Sequence, residues 1–237
     1  MNILRHIIEP SRLLMTWQPL DEAAASRTRR VIGEIRCEKE GQIVFRYLQH
    51  TPDFDEACKA GFKGFPAFHL KDKDDHEVRQ GVIESLMRRL PPRKREDFAD
   101  FLAQHRLPSP FNHSDMALLG YTGARLPSDG FALVPDFSAS EAPCDYLMEV
   151  AGVRHILGTD LSSIHEGDAV EFVIDRENIV DRDALLVVCH GQKIGYVNRA
   201  FRETLHRWLK QYRVSATIEK LNGKPERPLV YVRISAE

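Results

Sequence analysis

The chain has 237 residues, 43% of them hydrophobic and 29% charged, with a formal net charge of -2. That length suits two domains of roughly 100 residues each, and the composition is that of a chain that buries cores. The near-neutral total excludes a chain that is basic throughout, so any attraction for nucleic acid has to be local. No run of about 18 apolar residues offers a membrane span, and Met1–Glu9 lacks the apolar core of a secretory signal.

In chain order, Arg12–Trp17 reads as a strand stopped at Gln18-Pro19. Arg30–Arg36 and Gln42–Leu48 read as a hairpin around Glu38–Gly41, because apolar residues alternate on both sides of a glycine. Asp53–Gly61 reads as a short helix, capped by Asp53 and ended by Gly61. His76–Leu90 carries Val78, Val82, Ile83, Leu86, Met87 and Leu90 at helical spacing, with Pro91-Pro92 as the stop. Arg95–His105 repeats the pattern with Phe98, Phe101 and Leu102, and Ser114–Gly120 reads as a capped short helix. Phe131–Pro135 closes this half as a strand. Residues 137–144 lack periodicity and read as a linker, which predicts domains over 1–136 and 145–237.

The second half alternates more densely. Tyr146–Val153, Ala169–Ile174, Ala184–Cys189 and Lys193–Val197 read as strands, and Arg199–Gln211 as a helix with Phe201, Leu205, Trp208 and Leu209 on one stripe. Val214–Lys220 and Leu229–Ile234 complete the set, with Asn222-Gly223 as turn chemistry between them. The expected fold class is therefore α+β: a small α+β domain followed by an OB-like β-barrel with one helix.

One order of short motifs stands out: Ala151-Gly-Val-Arg-His155, then Gly167-Asp168 before a strand, then Asn178-x-x-Asp181-x-x-Ala184, then Gly191-Gln-Lys-Ile-Gly-Tyr196. From about Val150 to Glu237 this order resembles the HIRAN domain, in its standalone bacterial type. In helicases of that family the domain is an OB-like barrel that captures the 3′ end of single-stranded DNA. The resemblance implies that Arg154 meets a phosphate, that Asp181 meets the terminal 3′-hydroxyl, and that Asn178 acts in the same loop. It also places Lys193, Tyr196, Asn198 and Arg199 near the nucleic-acid backbone. His155, Ile156 and Val180 stand where the helicase type has tyrosines, so stacking falls to His155 and the implied affinity is lower; each stacked base is worth about 1–3 kcal/mol.

The N-terminal half resembles the N-terminal subdomain of HipA-type kinases through Val31–Ile35, Ile43–Tyr47, Arg88-Arg-Leu-Pro91, Leu118-Leu-Gly120 and Gly130–Pro135. The kinase core is absent, so that resemblance implies a non-enzymatic interaction module with a protein partner on residues 1–136. A regulatory part in a HipA-like toxin–antitoxin or defence system, without DNA-end recognition, is then the alternative to nucleic-acid binding.

Charge in the second half is segregated. Asp160, Glu166, Asp168, Glu171, Asp175, Glu177, Asp181 and Asp183 precede Lys193, Arg199, Arg202, Arg207, Lys210 and Arg213. Two readings stay open: Arg199, Arg202 and Arg213 form a phosphate-binding stripe, or the helix is a solvated surface paired to the acidic loop. Asp181 has two readings as well, as an acceptor for a hydroxyl or as a turn residue bonding its own backbone. Cys37, Cys58, Cys144 and Cys189 have no close cysteine partners, and His155, His165 and His190 form no spacing pattern. No metal, cofactor or catalytic group is expected. Asp53/Asp55 and Asp72/Asp74/Asp75 read as solvated loops, and Gly120–Gly123 as a turn. Reduced thiols and the absence of a span suit a cytoplasmic protein whose partner is single-stranded DNA or its 3′ end.

Overall fold

A computed structural model describes residues 2–20, 28–38, 41–70, 77–137, 142–156, 161–178, 181–224 and 227–237. The fold is α+β: among these residues, eleven strands make three antiparallel sheets. The chain divides into two compact units, residues 8–138 and residues 1–7 with 139–237. The first seven residues, read from sequence with the N-terminal domain, thus belong with the C-terminal unit.

In the first of these units, β1 (Arg12–Trp17), β2 (Arg30–Cys37), β3 (Ile43–Tyr47), β4 (Glu77–Val78) and β5 (Phe131–Asp136) form one sheet in the order β4-β3-β2-β1-β5. Leu13, Met15, Ile32, Ile35 and Phe45 are buried, and Phe45 stacks on Phe68 at 4.5 Å between ring centres. Tyr47 ties the loop after α1 (Pro52–Lys59) to the sheet: its hydroxyl donates to Phe68 O at 2.5 Å and accepts from Phe65 N at 2.7 Å. Burial pushes that phenol up to about 12. Glu34, 1% exposed, is held by Arg12, Arg46 and Arg36 at 2.8, 2.5 and 3.4 Å.

Several local expectations change here. Thr51, not Asp53, caps α1 through its hydroxyl to Phe54 N. Asp53 is no solvated loop residue, since it accepts from Val31 N at 3.0 Å and pairs with Arg30. The helix expected over His76–Leu90 shrinks to α2 (Val82–Met87): Glu77 and Val78 join the sheet edge opposite Arg46 and Phe45, and Gly81 takes a left-handed φ of 67°. The helix expected over Arg95–His105 is α3 (Phe98–Gln104). α4 (Asp115–Thr122) runs through Gly120, so Gly120–Gly123 is not a turn. A side chain at Gly120 would come within 2.9 Å of Leu13 and 3.2 Å of Pro135. His76, Asp72, Asp74 and Asp75 lie outside the described residues.

The second unit is a ring of strands. β6 (Cys144–Glu149), β10 (Val214–Lys224) and β11 (Arg227–Ala236) form one sheet in the order β10-β11-β6; β7 (Val170–Ile174), β8 (Leu185–Cys189) and β9 (Gln192–Tyr196) form the other in sequence order. Two bridges join them: Ala169 pairs with Thr217 beside β7 and β10, and Ala151 with Tyr196 beside β6 and β9. Six strands therefore close in the order β6-β11-β10-β7-β8-β9, a small barrel. Gly195 lies so close to Ala151 that a Cβ there would meet its carbonyl oxygen at 2.6 Å, which explains a glycine at the seam.

α5 (Val153–Ile156) follows β6, and α6 (Arg202–Gln211) crosses from β9 to β10. Phe201, Thr204, Leu205 and Trp208 are buried at helical spacing, with Phe201 4.5 Å from the Tyr146 ring, while Leu209 is exposed. Cys144 pairs with Ala236 inside β6 and so is not linker. Asn222-Gly223 is not the reversal either, because the β10–β11 ladder continues to Lys224 opposite Arg227. The N-terminal segment docks on Asp145: its carboxylate accepts from Arg5 N at 2.7 Å, His6 N at 3.2 Å, Ser235 Oγ at 2.6 Å and Arg233 at 3.0 Å.

Candidate nucleic-acid interface

One end of the β7–β8–β9 sheet gathers most of the residues singled out from sequence. The loop from Asp175 to Ala184 is braced by its own side chains. Asn178 Oδ1 accepts from Asp181 N at 2.9 Å, and Asp181 Oδ1 accepts from Asp183 N at 3.2 Å. Asp175 N and Ala184 O close the loop base at 2.9 Å. Such Asx bonds tie Asn178, Asp181 and Asp183 to one another among the described residues of the loop. The turn-forming reading of Asp181 therefore holds in the geometry.

The same carboxylate also faces α6. Asp181 Oδ2 pairs with Arg202 and lies 3.9 Å from Arg199 Nε. The loop and the start of the helix are joined by charge, as the reading of a helix paired to the acidic loop anticipates. Asp181 remains partly accessible, with its side chain 19% exposed, and Arg199 is 31% exposed. A carboxylate offers about four lone-pair positions, so these contacts leave it capacity to accept from a further hydroxyl. The buried Arg202 Nε donates to no acceptor among the described residues.

Beneath this surface, Tyr196 donates its hydroxyl to the buried carboxylate of Asp175 at 2.8 Å. Burial and then Asp175 push the phenol up, while a hydrogen bond from Asn178 pulls it down. The sequence motif ending in Tyr196 is thus tied to the Asn178–Asp181 loop. Asn198 has a local role: its Oδ1 accepts from Ala200 N at 3.0 Å, and its carbonyl accepts from Phe201 N and Arg202 N, shaping the entry to α6. His206 Nε2 lies 2.9 Å from Asp183 O, a second tie between helix and loop.

Asn178, Asp181, Tyr196, Arg199 and Arg202 come together, with Asn198 supporting them. Lys193 does not share that end. It is exposed and pairs with Val188 near the opposite end of β9, three residues and roughly 10 Å along the strand from Tyr196. The expected strip of Lys193, Arg199 and Arg202 is therefore split, because an extended strand separates what the sequence sets side by side. Arg154 and His155 fall on α5, but their side chains lie outside the description, as does Val180. Sequence reading missed Asp175, whose signal was only its place in an acidic run.

No family model and no curated protein matches this chain. Among solved structures, the HIRAN domain of human HLTF aligns at 15% identity over 39% of this chain and 74% of that one, with a TM-score of 0.31. A protein from Lactobacillus plantarum aligns at 19% identity over 38% of this chain and 92% of that one, with a TM-score of 0.32. Nothing among the comparisons supports the HipA resemblance of residues 1–136 or a protein partner there. No helix among the described residues is long and apolar enough to cross a membrane.

Proposed function

We propose that the barrel unit binds single-stranded nucleic acid without catalysing a reaction on it, and holds the strand's 3′ end at the Asn178–Asp181 loop and the start of α6. The reading is carried by one observation: a partly exposed carboxylate, Asp181, faces two guanidiniums, Arg199 and Arg202, with one oxygen while its other oxygen accepts from Asp183 N. Guanidiniums meet phosphate by charge-assisted hydrogen bonds, and a carboxylate accepts from an uncharged hydroxyl but repels phosphate. Both halves of a 3′-terminal nucleotide are thereby matched: the final phosphodiester by the arginines, the free hydroxyl by Asp181. The amide of Asn178 fits the sugar or base beside them. Arg207 and Lys210 extend the positive character along α6, with Arg213 just beyond its end, which suits the strand that leads away from the end.

Fluorescence anisotropy on the full chain tests this. Labelled single strands ending in a 3′-hydroxyl or a 3′-phosphate, and a blunt duplex, are compared across a salt series. The hydroxyl-ended strand is expected to bind tightest, with an affinity that falls as salt rises. Equal affinity for both ends removes end recognition, and the absence of salt-dependent binding to any of the three removes the nucleic-acid reading.

A further inference from the structure

The far end of the same sheet carries different chemistry. β7 begins two residues after Asp168, Cys189 ends β8 opposite Val170, and His190-Gly191 makes the turn into β9. Alternation along a strand puts Asp168 on the face of Val170, and therefore on that of Cys189. His190 has a φ of 50° and Gly191 one of 74°. This left-handed pair is a hairpin turn that ordinarily takes Asn, Asp or Gly in its first place. Histidine enters this conformation more readily than most side chains, and here the turn carries its imidazole toward Asp168.

Its imidazole points at Asp168, with Nε2 2.8 Å from Oδ2. One ligand atom each from Asp168, Cys189 and His190 lie within 4.8 Å of one another. His165 stands beside them: its backbone N–H donates to Asp168 Oδ2 at 2.7 Å, and its Nδ1 is 3.8 Å from the same oxygen. Cys189 is buried, whereas the imidazoles of His190 and His165 are 55% and 72% exposed, so the group has a sulfur floor and an open side. Ligands at the usual 2.0–2.3 Å from a tetrahedral zinc ion are about 3.3–3.8 Å apart. Small side-chain rotations reach that spacing from the one observed.

We propose that Asp168, Cys189 and His190, with His165 at the fourth position, form a binding site for a borderline-soft divalent transition metal, zinc above all. The donor set, one thiolate, one carboxylate and imidazole nitrogens, is the kind that zinc and cobalt accept and that calcium and magnesium do not. The charges also balance: one thiolate and one carboxylate neutralise a divalent cation. Burial and then the neighbouring Asp168 push the Cys189 thiol up, so without an ion the sulfur keeps its proton; binding releases that proton to solvent. The ion would clip the start of β7 to the β8–β9 turn. It stands apart from the proposed strand-binding end, and either can fail without the other.

The test uses the full chain, purified under reducing conditions, stripped with a chelator and titrated with cobalt(II) alone. The expected result is one equivalent bound, tetrahedral visible bands, a thiolate-to-cobalt band in the near ultraviolet, and displacement of both by zinc. Cys189→Ser is expected to abolish the near-ultraviolet band, and the double variant Cys37→Ser/Cys58→Ser to keep it. Because Cys189 is in the core, His190→Gln on the exposed turn gives an independent reading: at least tenfold weaker cobalt binding with an unchanged circular dichroism spectrum. Cobalt binding unaffected by His190→Gln, a thiolate band lost with Cys37 and Cys58, or no binding by the stripped protein each overturns the site.

Discussion

The two ends of the β7–β8–β9 sheet are built on the same three strands and prepared for opposite charges. At the end where β7 stops and β8 starts, a carboxylate is faced by guanidiniums from the turn before α6 and from its first residue. At the other end a carboxylate is surrounded by imidazoles and a thiol. Asp181 and Asp168 both accept nearby backbone N–H groups, so those bonds do not distinguish them. What differs is the partner each receives from elsewhere in the chain. Guanidiniums cannot give up their protons and remain cations that can grip an anion. Imidazoles and thiols can give theirs up and become ligands for a cation.

The strongest way to break the contrast is to remove the cations from the arginine end. Arg199→Ala/Arg202→Ala is expected to weaken single-strand binding about 100-fold, since charge-assisted hydrogen bonds contribute about 1.5–3 kcal/mol each. The slope of log affinity against log salt should fall by roughly 1.4, two phosphate contacts at about 0.7 each. Anisotropy at several salt concentrations measures both.

A control comes from the opposite sheet of the barrel. Burial would raise the Asp145 carboxyl, but hydrogen bonds from Ser235, Arg5 and His6 and the charge of Arg233 outweigh it and hold the group below its usual value. The folded carboxyl is thus more acidic than the unfolded one. Its stabilisation is complete above the ordinary value near 3.8 and is lost as pH falls through the depressed value. Asp145→Asn is expected to lower stability by about 2 kcal/mol at neutral pH and to flatten this acid limb, with urea midpoints across pH as the readout. Cobalt and oligonucleotide binding should both survive, since neither end contains Asp145.

Smaller changes sharpen the contrast. Asp181→Ala is expected to cost about tenfold in affinity for a hydroxyl-ended strand, the equivalent of one hydrogen bond to a charged group. It should leave affinity for a 3′-phosphorylated strand unchanged or slightly higher, because the arginines lose their internal counter-charge. Lys193→Ala is expected to change single-strand affinity by less than about twofold, as one exposed charge contributes little. A larger loss would extend the strand-binding surface along β9 and erase the distinction between the ends.

Much of the barrel was legible because strands announce themselves by local alternation, as in Val170–Ile174 and Leu185–Cys189. Its closure was not, since it depends on single pairs such as Ala151 with Tyr196, far apart in sequence and carried by no pattern. The Asp181 loop was half legible. Asx bonds are local, but the pairing to Arg202 spans 21 residues and appears only once α6 is folded back on the loop. Lys193 shows the converse error, where nearness in sequence was taken for nearness in space. The Asp168 cluster was not legible because cysteines and histidines were each searched for spacing among their own kind. The signal was present as two short pairs, Cys189-His190 and His165-x-x-Asp168, on either side of a hairpin.

The grip of Asp145 on Arg5 and His6 has a consequence for the order of events during synthesis. Residues 8–138 form a compact unit interposed within another, whose first stretch is made before it and whose remainder is made after it. As the chain leaves the ribosome, the interposed unit has all its strands while Arg5 and His6 still lack their partner carboxylate. His6 waits for Asp145, 139 residues further on, and the pair then waits for Arg233 and Ser235 on β11. The barrel unit is therefore completed after the interposed one, and Asp145 joins residues made before residues 8–138 to residues made after them.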